Sequence, residues 1–275
     1  FWWFPEVVDG GKEVYEKLVS LNKRVIFVSN FTFLDRDGIV KILRKNGIDV
    51  KKEQIITSGY IASKVVKKEK VFPIGKGLEN ELRKANVKIE KSEKANCVVV
   101  GHDINYNYKK AKIALNILLK GGKFYTTAYG KTWIFKNEIV PGTAIITAGL
   151  EYCSGKKAIL LGKPSHFMLK EIRKNVKDRA IFFGDENVDI KFAKKAKFLP
   201  VFVRKGIDKK AKEKVESINS IKDLLKLLDW KVFKFKKELK KWLVVFAKEF
   251  SNLFLFVKFK ILKIKRRDSH ENKDF

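Results

Sequence analysis

The stretch Ile181-Phe182-Phe183-Gly184-Asp185-Glu186-Asn187-Val188-Asp189-Ile190 decides the architecture. Three apolar residues run into a glycine and an acid, and a second acid follows four positions on. A short apolar run bounded by Gly reads as a buried strand, and 188–196 has the spacing of a helix. Asp185 then sits at the carboxyl end of a strand, and Asp189 lies on the loop or first helical turn beyond it. In open α/β sheets, ligands bind in the crevice outside the carboxyl ends of the strands. Two carboxylates there repel each other unless a cation or a basic group lies between them. A hard, oxygen-preferring ion such as Mg2+ is the natural candidate. Read alone, the same two acids also suit helix caps, where Asp is favoured.

Outward from this stretch the same alternation recurs. Upstream, 23–30 is a strand ending in Ser29-Asn30, between helical spacings over 8–21 and 34–46; Gly47 closes the second helix. Short apolar runs at 55–59, 71–75, 97–101 and 123–128 read as strands, with helices after the first three and a loop after the last. A helix over 142–152 leads to a strand and turn at 158–164, which contains Gly162-Lys163-Pro164, and then to a helix ending near 176. A further strand follows at 198–203. Regular strand–helix alternation predicts a parallel sheet with helices on both faces. No apolar run is long enough to span a bilayer.

The chain has 61 Lys and Arg against 31 Asp and Glu, a formal net charge of +30. That balance favours polyanionic surfaces and phosphorylated ligands. The lysines are spread along every segment, however, whereas nucleic-acid modules gather charge on one face and interleave aromatics with it. Zinc spacing, a helix-turn-helix and an RNA-recognition motif are all missing, so nucleic acid is not the expected partner and base composition of the gene accounts equally well for the charge. The two cysteines, Cys97 in an apolar run and Cys153 alone, form no disulfide framework, which points to the reducing cytosol.

The tail has a different composition. Val232, Phe235, Leu239, Trp242, Phe246 and Phe250 recur at three- and four-residue steps, and the lysines fall mostly between them. This predicts a basic amphipathic helix over 230–265, packed on its own domain or lying on a membrane surface. In the second case the protein would be membrane-peripheral.

Ser29-Asn30, Gly162-Lys163-Pro164 and Gly184-Asp185 with Asp189 can meet in one crevice, and their chemistry suits a phosphate. Hydroxyl and amide groups hold phosphate oxygens, a lysine neutralises charge, and two aspartates hold Mg2+. In this order, the segments 25–30, 162–164 and 183–190 resemble motifs two, three and four of the haloacid dehalogenase (HAD) superfamily. The intervening text is similar to its NagD / 4-nitrophenyl phosphatase-like branch, in Val7–Val14, Ile56–Gly59, Val71–Leu78, Val99–Asp103, Lys123–Thr127 and Val140–Gly142. The resemblance runs from about 7 to 207.

It implies a Rossmann-like parallel-sheet core with an α/β cap inserted between motifs two and three. The parts would be 1–67 and 156–229 for the core, 68–155 for the cap and 230–275 for an extension. It implies Mg2+-dependent hydrolysis of a phosphate monoester through an aspartyl-phosphate, on a small phosphorylated substrate. Ser29 and Asn30 would bind phosphate. Lys163 would hold the charge of both nucleophile and phosphate, Asp185 would ligate the metal, and Asp189 would support the metal site or ligate the ion through water. A homodimer through the cap is compatible with the branch.

Three departures accompany the resemblance. The nucleophile motif, Asp-x-Asp-Gly, is expected a few residues before Phe1, so the chain reads as an N-terminally truncated fragment that is inactive by itself. Motif four has one residue fewer than this branch usually has. The loop after Thr127 reads Ala128-Tyr129-Gly130-Lys131 where Asn and Asp are usual, which leaves the substrate open. Beside the phosphatase reading stand two others, a non-catalytic HAD-fold protein that binds a phosphorylated ligand or another protein, and a membrane-surface or nucleic-acid-associated protein that acts through its basic tail. His102-Asp103 has the look of a catalytic pair but suits a structural role, and His166 could edge the site.

Overall fold

The computed structural model describes residues 2–3, 6–135, 138–176, 180–204, 208, 210–220, 222–229 and 243–248. The elements run β1 (Trp2–Trp3), β2 (Glu6–Val7), α1 (Gly11–Ser20), β3 (Val25–Ser29), α2 (Arg36–Lys45), β4 (Ile55–Thr57) and α3 (Ser58–Val65). Next come β5 (Lys70–Ile74), α4 (Lys76–Lys84), β6 (Lys88–Ile89), β7 (Cys97–Val100), α5 (Tyr108–Leu119) and β8 (Lys123–Thr126). They are followed by β9 (Thr132–Phe135), β10 (Glu138–Pro141), α6 (Ala144–Ser154), β11 (Ile159–Leu160), α7 (His166–Asn175) and β12 (Ala180–Gly184). The last are α8 (Asn187–Lys195), β13 (Leu199–Val203), β14 (Glu216–Ile218), α9 (Lys222–Asp229) and β15 (Leu243–Lys248).

Two parallel sheets organise the chain. The first has the order β14-β13-β12-β15-β3-β4, and the second β11-β8-β7-β5-β6. Segment 68–155 supplies four strands of the second sheet, and the fifth, β11, comes from beyond it and pairs with β8. Helix starts are set locally. Asp35, Thr57, Asn107 and Ser165 each cap a helix by accepting a backbone N–H three residues on.

Side-chain alternation along the strands divides the core. Val25 and Phe27 of β3, with Ile181 and Phe183 of β12, face Val14 and Leu18 of α1 and Ile39 and Leu43 of α2. On the opposite face, Ile26, Val28, Ala180 and Phe182 pack with Met168, Ile172 and Phe192. This second cluster continues through Ile61 and Leu78 to Val71, Cys97 and Val99, which ties the two sheets together. The outer face of the second sheet, with Phe72, Val98 and Phe124, is covered by α5 and α6. Strands buried on both faces need apolar residues at successive positions, which is why 25–28 and 180–183 show no polar alternation. Each fully buried Phe or Ile contributes about 1.5–3 kcal/mol.

The tail corrects one expectation. Leu243–Lys248, which includes Phe246 of the anticipated helical stripe, is a strand. It pairs in parallel with β12 on one side and β3 on the other, so a strand from the tail lies inside the sheet. Five successive apolar residues, two of them Val, suit a strand by composition, and two ladders of backbone hydrogen bonds outweigh the helical spacing. The other residues of the stripe, Val232, Phe235, Leu239, Trp242 and Phe250, lie outside the described residues. The anticipated loop after β8 contains the antiparallel hairpin β9–β10. Among the described residues, no helix is long and apolar enough to cross a membrane.

Candidate active site

The carboxyl ends of β3 and β12, on either side of β15, define the crevice. β3 delivers Ser29 and β12 delivers Gly184, followed by Asp185. Ser29 is fully buried, and its Oγ accepts the Phe31 N–H at 3.0 Å, which folds the chain back into a tight loop and leaves the hydroxyl hydrogen for another acceptor. Asn30 is directed elsewhere. Its Oδ1 accepts the Lys163 N–H at 2.7 Å and its Nδ2 donates to the Lys163 carbonyl at 3.3 Å. A side-chain amide thus docks on the backbone of Lys163 and joins the second expected motif to the third.

Lys163 is buried, and its Nζ donates to Asp189 Oδ1 at 2.6 Å with both side chains fully enclosed. The other oxygen of Asp189 accepts the Glu186 N–H at 3.3 Å, closing a capping box at the start of α8. Asp189 is therefore committed on both oxygens to anchoring Lys163 and capping its own helix. Asp185 differs, because its Oδ2 is buried without a hydrogen-bond partner. Burial, and then the charge of Asp189, push the Asp185 carboxyl well above the usual carboxylate range, against the opposing pull of Lys163. Among these three side chains, two carboxylates stand against one ammonium. A divalent cation fits this set. Mg2+ takes one or two carboxylates and completes its shell with water and phosphate oxygens, and Asp185 Oδ2 is an orphaned buried acceptor of the kind such an ion satisfies. Among the described residues, no group of three or more His, Cys, Asp or Glu side chains forms a ready-made cage.

Two glycines permit the crowding. A Cβ on Gly184 would lie 2.1 Å from Asp189 Cβ, and one on Gly162 would lie 2.2 Å from the Thr127 carbonyl and 2.3 Å from Asn30 Oδ1. Thr127 directly follows β8 of the second sheet, so Gly162 is where that sheet meets the crevice.

Loop 30–34 is held from the second sheet by contacts that sequence reasoning missed. Thr32 bonds to His102 and Thr127. Phe31 and Phe33 pack against Trp133 of the hairpin at centroid distances of 5.7 and 5.5 Å. His102 and Asp103, which resembled a catalytic pair in the sequence, bond to different partners. His102 turns to Thr32, while Asp103 accepts from Lys110 Nζ at 2.7 Å. His166 is exposed at the first turn of α7. The hairpin's aromatic residues, alternating in Thr132-Trp133-Ile134-Phe135, were the signal available in the sequence.

A literal Asp-x-Asp-Gly string does occur in this chain, at Asp35-Arg36-Asp37-Gly38, and the expectation that the motif lies wholly upstream passed over it. The structure puts it at the start of α2. Asp35 caps that helix through the Gly38 N–H at 2.8 Å and pairs with Lys84 at 2.7 Å. Asp37 pairs with Lys52 and Lys84, which hold its carboxyl below the usual range. Both acids are engaged in helix capping and ion pairs.

Known proteins resemble this chain in sequence and fold. A family profile described as haloacid dehalogenase-like hydrolase matches residues 1–88, and one described as HAD-hydrolase-like matches 160–226. The chain is 29% identical over 226 residues to a 4-nitrophenylphosphatase of Schizosaccharomyces pombe, covering 70% of this chain and 76% of that protein. It is 26% identical to a dihydroxyacetone phosphatase of Corynebacterium glutamicum, covering 80% and 85%. Among solved structures, a p-nitrophenyl phosphatase from Archaeoglobus fulgidus superposes with a TM-score of 0.75 at 25% identity, over 82% of this chain and 95% of that one. A glycerol phosphate phosphatase from Mycobacterium tuberculosis, solved in complex with magnesium, shares the fold with a TM-score of 0.67 at 20% identity, over 74% of this chain and 64% of that one.

Proposed function

The chain belongs to the haloacid dehalogenase superfamily, in its NagD / 4-nitrophenyl phosphatase-like branch, and from that membership we propose that it hydrolyses phosphate monoesters with Mg2+ through an aspartyl-phosphate. The supporting observation is the charge arrangement at the strand ends. Asp185 has a buried, unpartnered oxygen beside the buried Lys163–Asp189 pair, within reach of the loop that carries Ser29.

In this reading the Ser29 hydroxyl donates to a phosphate oxygen. Lys163, fixed in place by Asp189 and by the Asn30 clamp, neutralises phosphate charge without side-chain reorganisation. Asp185 holds the ion, with Asp189 behind it. Mg2+, when bound, supplies electrostatic stabilisation of the transferring phosphoryl group. The attacking carboxylate forms a bond to phosphorus as the bond to the leaving oxygen breaks, and a second acid protonates that oxygen. Water then hydrolyses the acyl phosphate and releases phosphate. The resemblance assigns these two acids to an Asp-x-Asp-Gly segment ahead of Phe1.

One observation favours a second reading. Among the described residues, the six strands of the first sheet end in Ser29, Thr57, Gly184, Val203, Ile218 and Lys248, none of them an acid. A protein that binds a phosphorylated ligand without cleaving it has the same geometry. The test compares the chain as it stands with a version carrying Asp-x-Asp-Gly ahead of Phe1. Hydrolysis of 4-nitrophenyl phosphate is followed with Mg2+ and with EDTA. The extended chain is expected to turn over, EDTA to abolish the activity, and Lys163→Ala to lower kcat/KM by roughly 100-fold or more. Turnover insensitive to both EDTA and Asp185→Asn would exclude the metal-dependent mechanism. Phosphate binding without turnover in the extended chain would establish the second reading.

A further inference from the structure

We propose that His102 is a positioning residue for the phosphate site, acting through Thr32 on the loop that carries Ser29 and Asn30. The proposal rests on the phosphatase reading and adds to it a residue from outside the crevice.

Thr32 lies two positions past Asn30 and is buried. Its N–H donates to His102 Nδ1 at 3.4 Å, and its Oγ1 accepts the His102 backbone N–H at 2.9 Å. The same hydroxyl lies 3.1 Å from His102 Nδ1 and 3.3 Å from Thr127 Oγ1. Thr127 Oγ1 donates to the Val100 carbonyl at 2.9 Å, so its oxygen faces Thr32 as an acceptor. One residue of the loop is thus bonded to two neighbouring strand ends of the second sheet.

A backbone N–H can only donate, so His102 Nδ1 accepts and the neutral ring carries its proton on Nε2. The ring is wedged between Phe31 and Trp133, with centroids at 5.8 and 5.2 Å. A Cβ on Gly101 would come within 2.8 Å of Thr32 Oγ1, and one on Gly75 within 2.6 Å of the His102 carbonyl. The surrounding backbone is packed to admit this contact. An aliphatic residue at 102 could fill the aromatic niche but would leave the Thr32 N–H without its acceptor. That cost falls on loop 29–32, and through the Asn30 clamp on Lys163. Precise placement of ligand-holding groups depends on such supporting contacts.

Binding of inorganic phosphate in the presence of Mg2+, by calorimetry on the full chain, separates positioning from packing, with thermal melting as the control. His102→Leu is expected to weaken phosphate binding roughly tenfold or more, as loss of a supporting contact commonly does, with a fall in Tm too small to account for it. His102→Asn, which returns an acceptor to the Thr32 N–H, should recover most of the affinity. Thr32→Val, which leaves the histidine in place, should lose affinity, and Thr32→Ser should keep it. Undiminished binding by His102→Leu and Thr32→Val would overturn the positioning role while leaving the phosphatase reading intact. Affinity that tracks Tm across all four variants, with no rescue by His102→Asn, would reduce His102 to packing. Failure to bind phosphate by both the parent chain and a version carrying Asp-x-Asp-Gly ahead of Phe1 would defeat the phosphatase reading and this proposal with it.

Discussion

Lys163 and Asp189 pair at 2.6 Å, so the carboxylate left with an unpartnered buried oxygen at the strand ends is Asp185. Its carboxyl is held above its unfolded value, mainly by burial. Such a group contributes its full stability below the unfolded carboxylate range and loses it as pH rises through the raised folded value. On this count the metal-free protein is more stable in mild acid than at neutral pH. Asp185→Asn removes the titration, because a neutral amide replaces a buried unpaired charge. Calorimetric melting should show Tm rising by a few degrees at neutral pH without metal, with a flatter pH profile between mild acid and neutrality. Mg2+ should raise the Tm of the parent protein and leave that of the variant unchanged. An equal Mg2+ shift in both would move the metal away from Asp185. The sequence already set Asp185 and Asp189 apart as a pair of acids beyond a strand. The division of labour between them was not legible there, since it depends on which one Lys163, 26 residues upstream of Asp189, reaches.

At the scale of elements, the turn from β12 into α8 shows how closely packed the crevice is. Gly184 has no side chain because the Cβ of Asp189 occupies that space. Gly184→Ala should destabilise the protein by about 1–3 kcal/mol through overpacking. It should also weaken phosphate binding, because Asp189 can yield only by releasing Lys163. Chemical denaturation and phosphate titration check both effects, and a variant of unchanged stability would mean that the turn can relax. Elements of this kind were readable in advance. The apolar run into Gly184, the helix after it and the Asn30 and Lys163 turns carry local signatures of composition and spacing. The hairpin β9–β10 was less readable, since Gly130-Lys131 and Pro141-Gly142 look like loop punctuation and its strands are only four residues each. β15 was misread because five apolar residues satisfy a strand and a helix face alike.

For the whole molecule, the far end of the chain completes the first sheet. β15 bonds to β12 and β3 together, so its loss would leave two rows of backbone groups unpaired inside the sheet. A chain ending at Asp229 should melt roughly 10 °C lower or more and associate through the opened strand edges. Circular dichroism and size-exclusion chromatography would show this, and a monomer of unaltered Tm would place β15 outside the cooperative unit. The sequence by itself determined the strand–helix alternation, the parallel class of the sheets and the ordered stretches at 25–30, 162–164 and 183–190, because each is written in local periodicity and turn chemistry. Only the tertiary structure decided that Leu243–Lys248 lies between β12 and β3, that Asn30 clamps Lys163, and that Thr32 binds His102. Each of these pairs groups more than 50 residues apart, and such partners are selected by packing and hydrogen-bond geometry in the folded chain rather than by any local pattern.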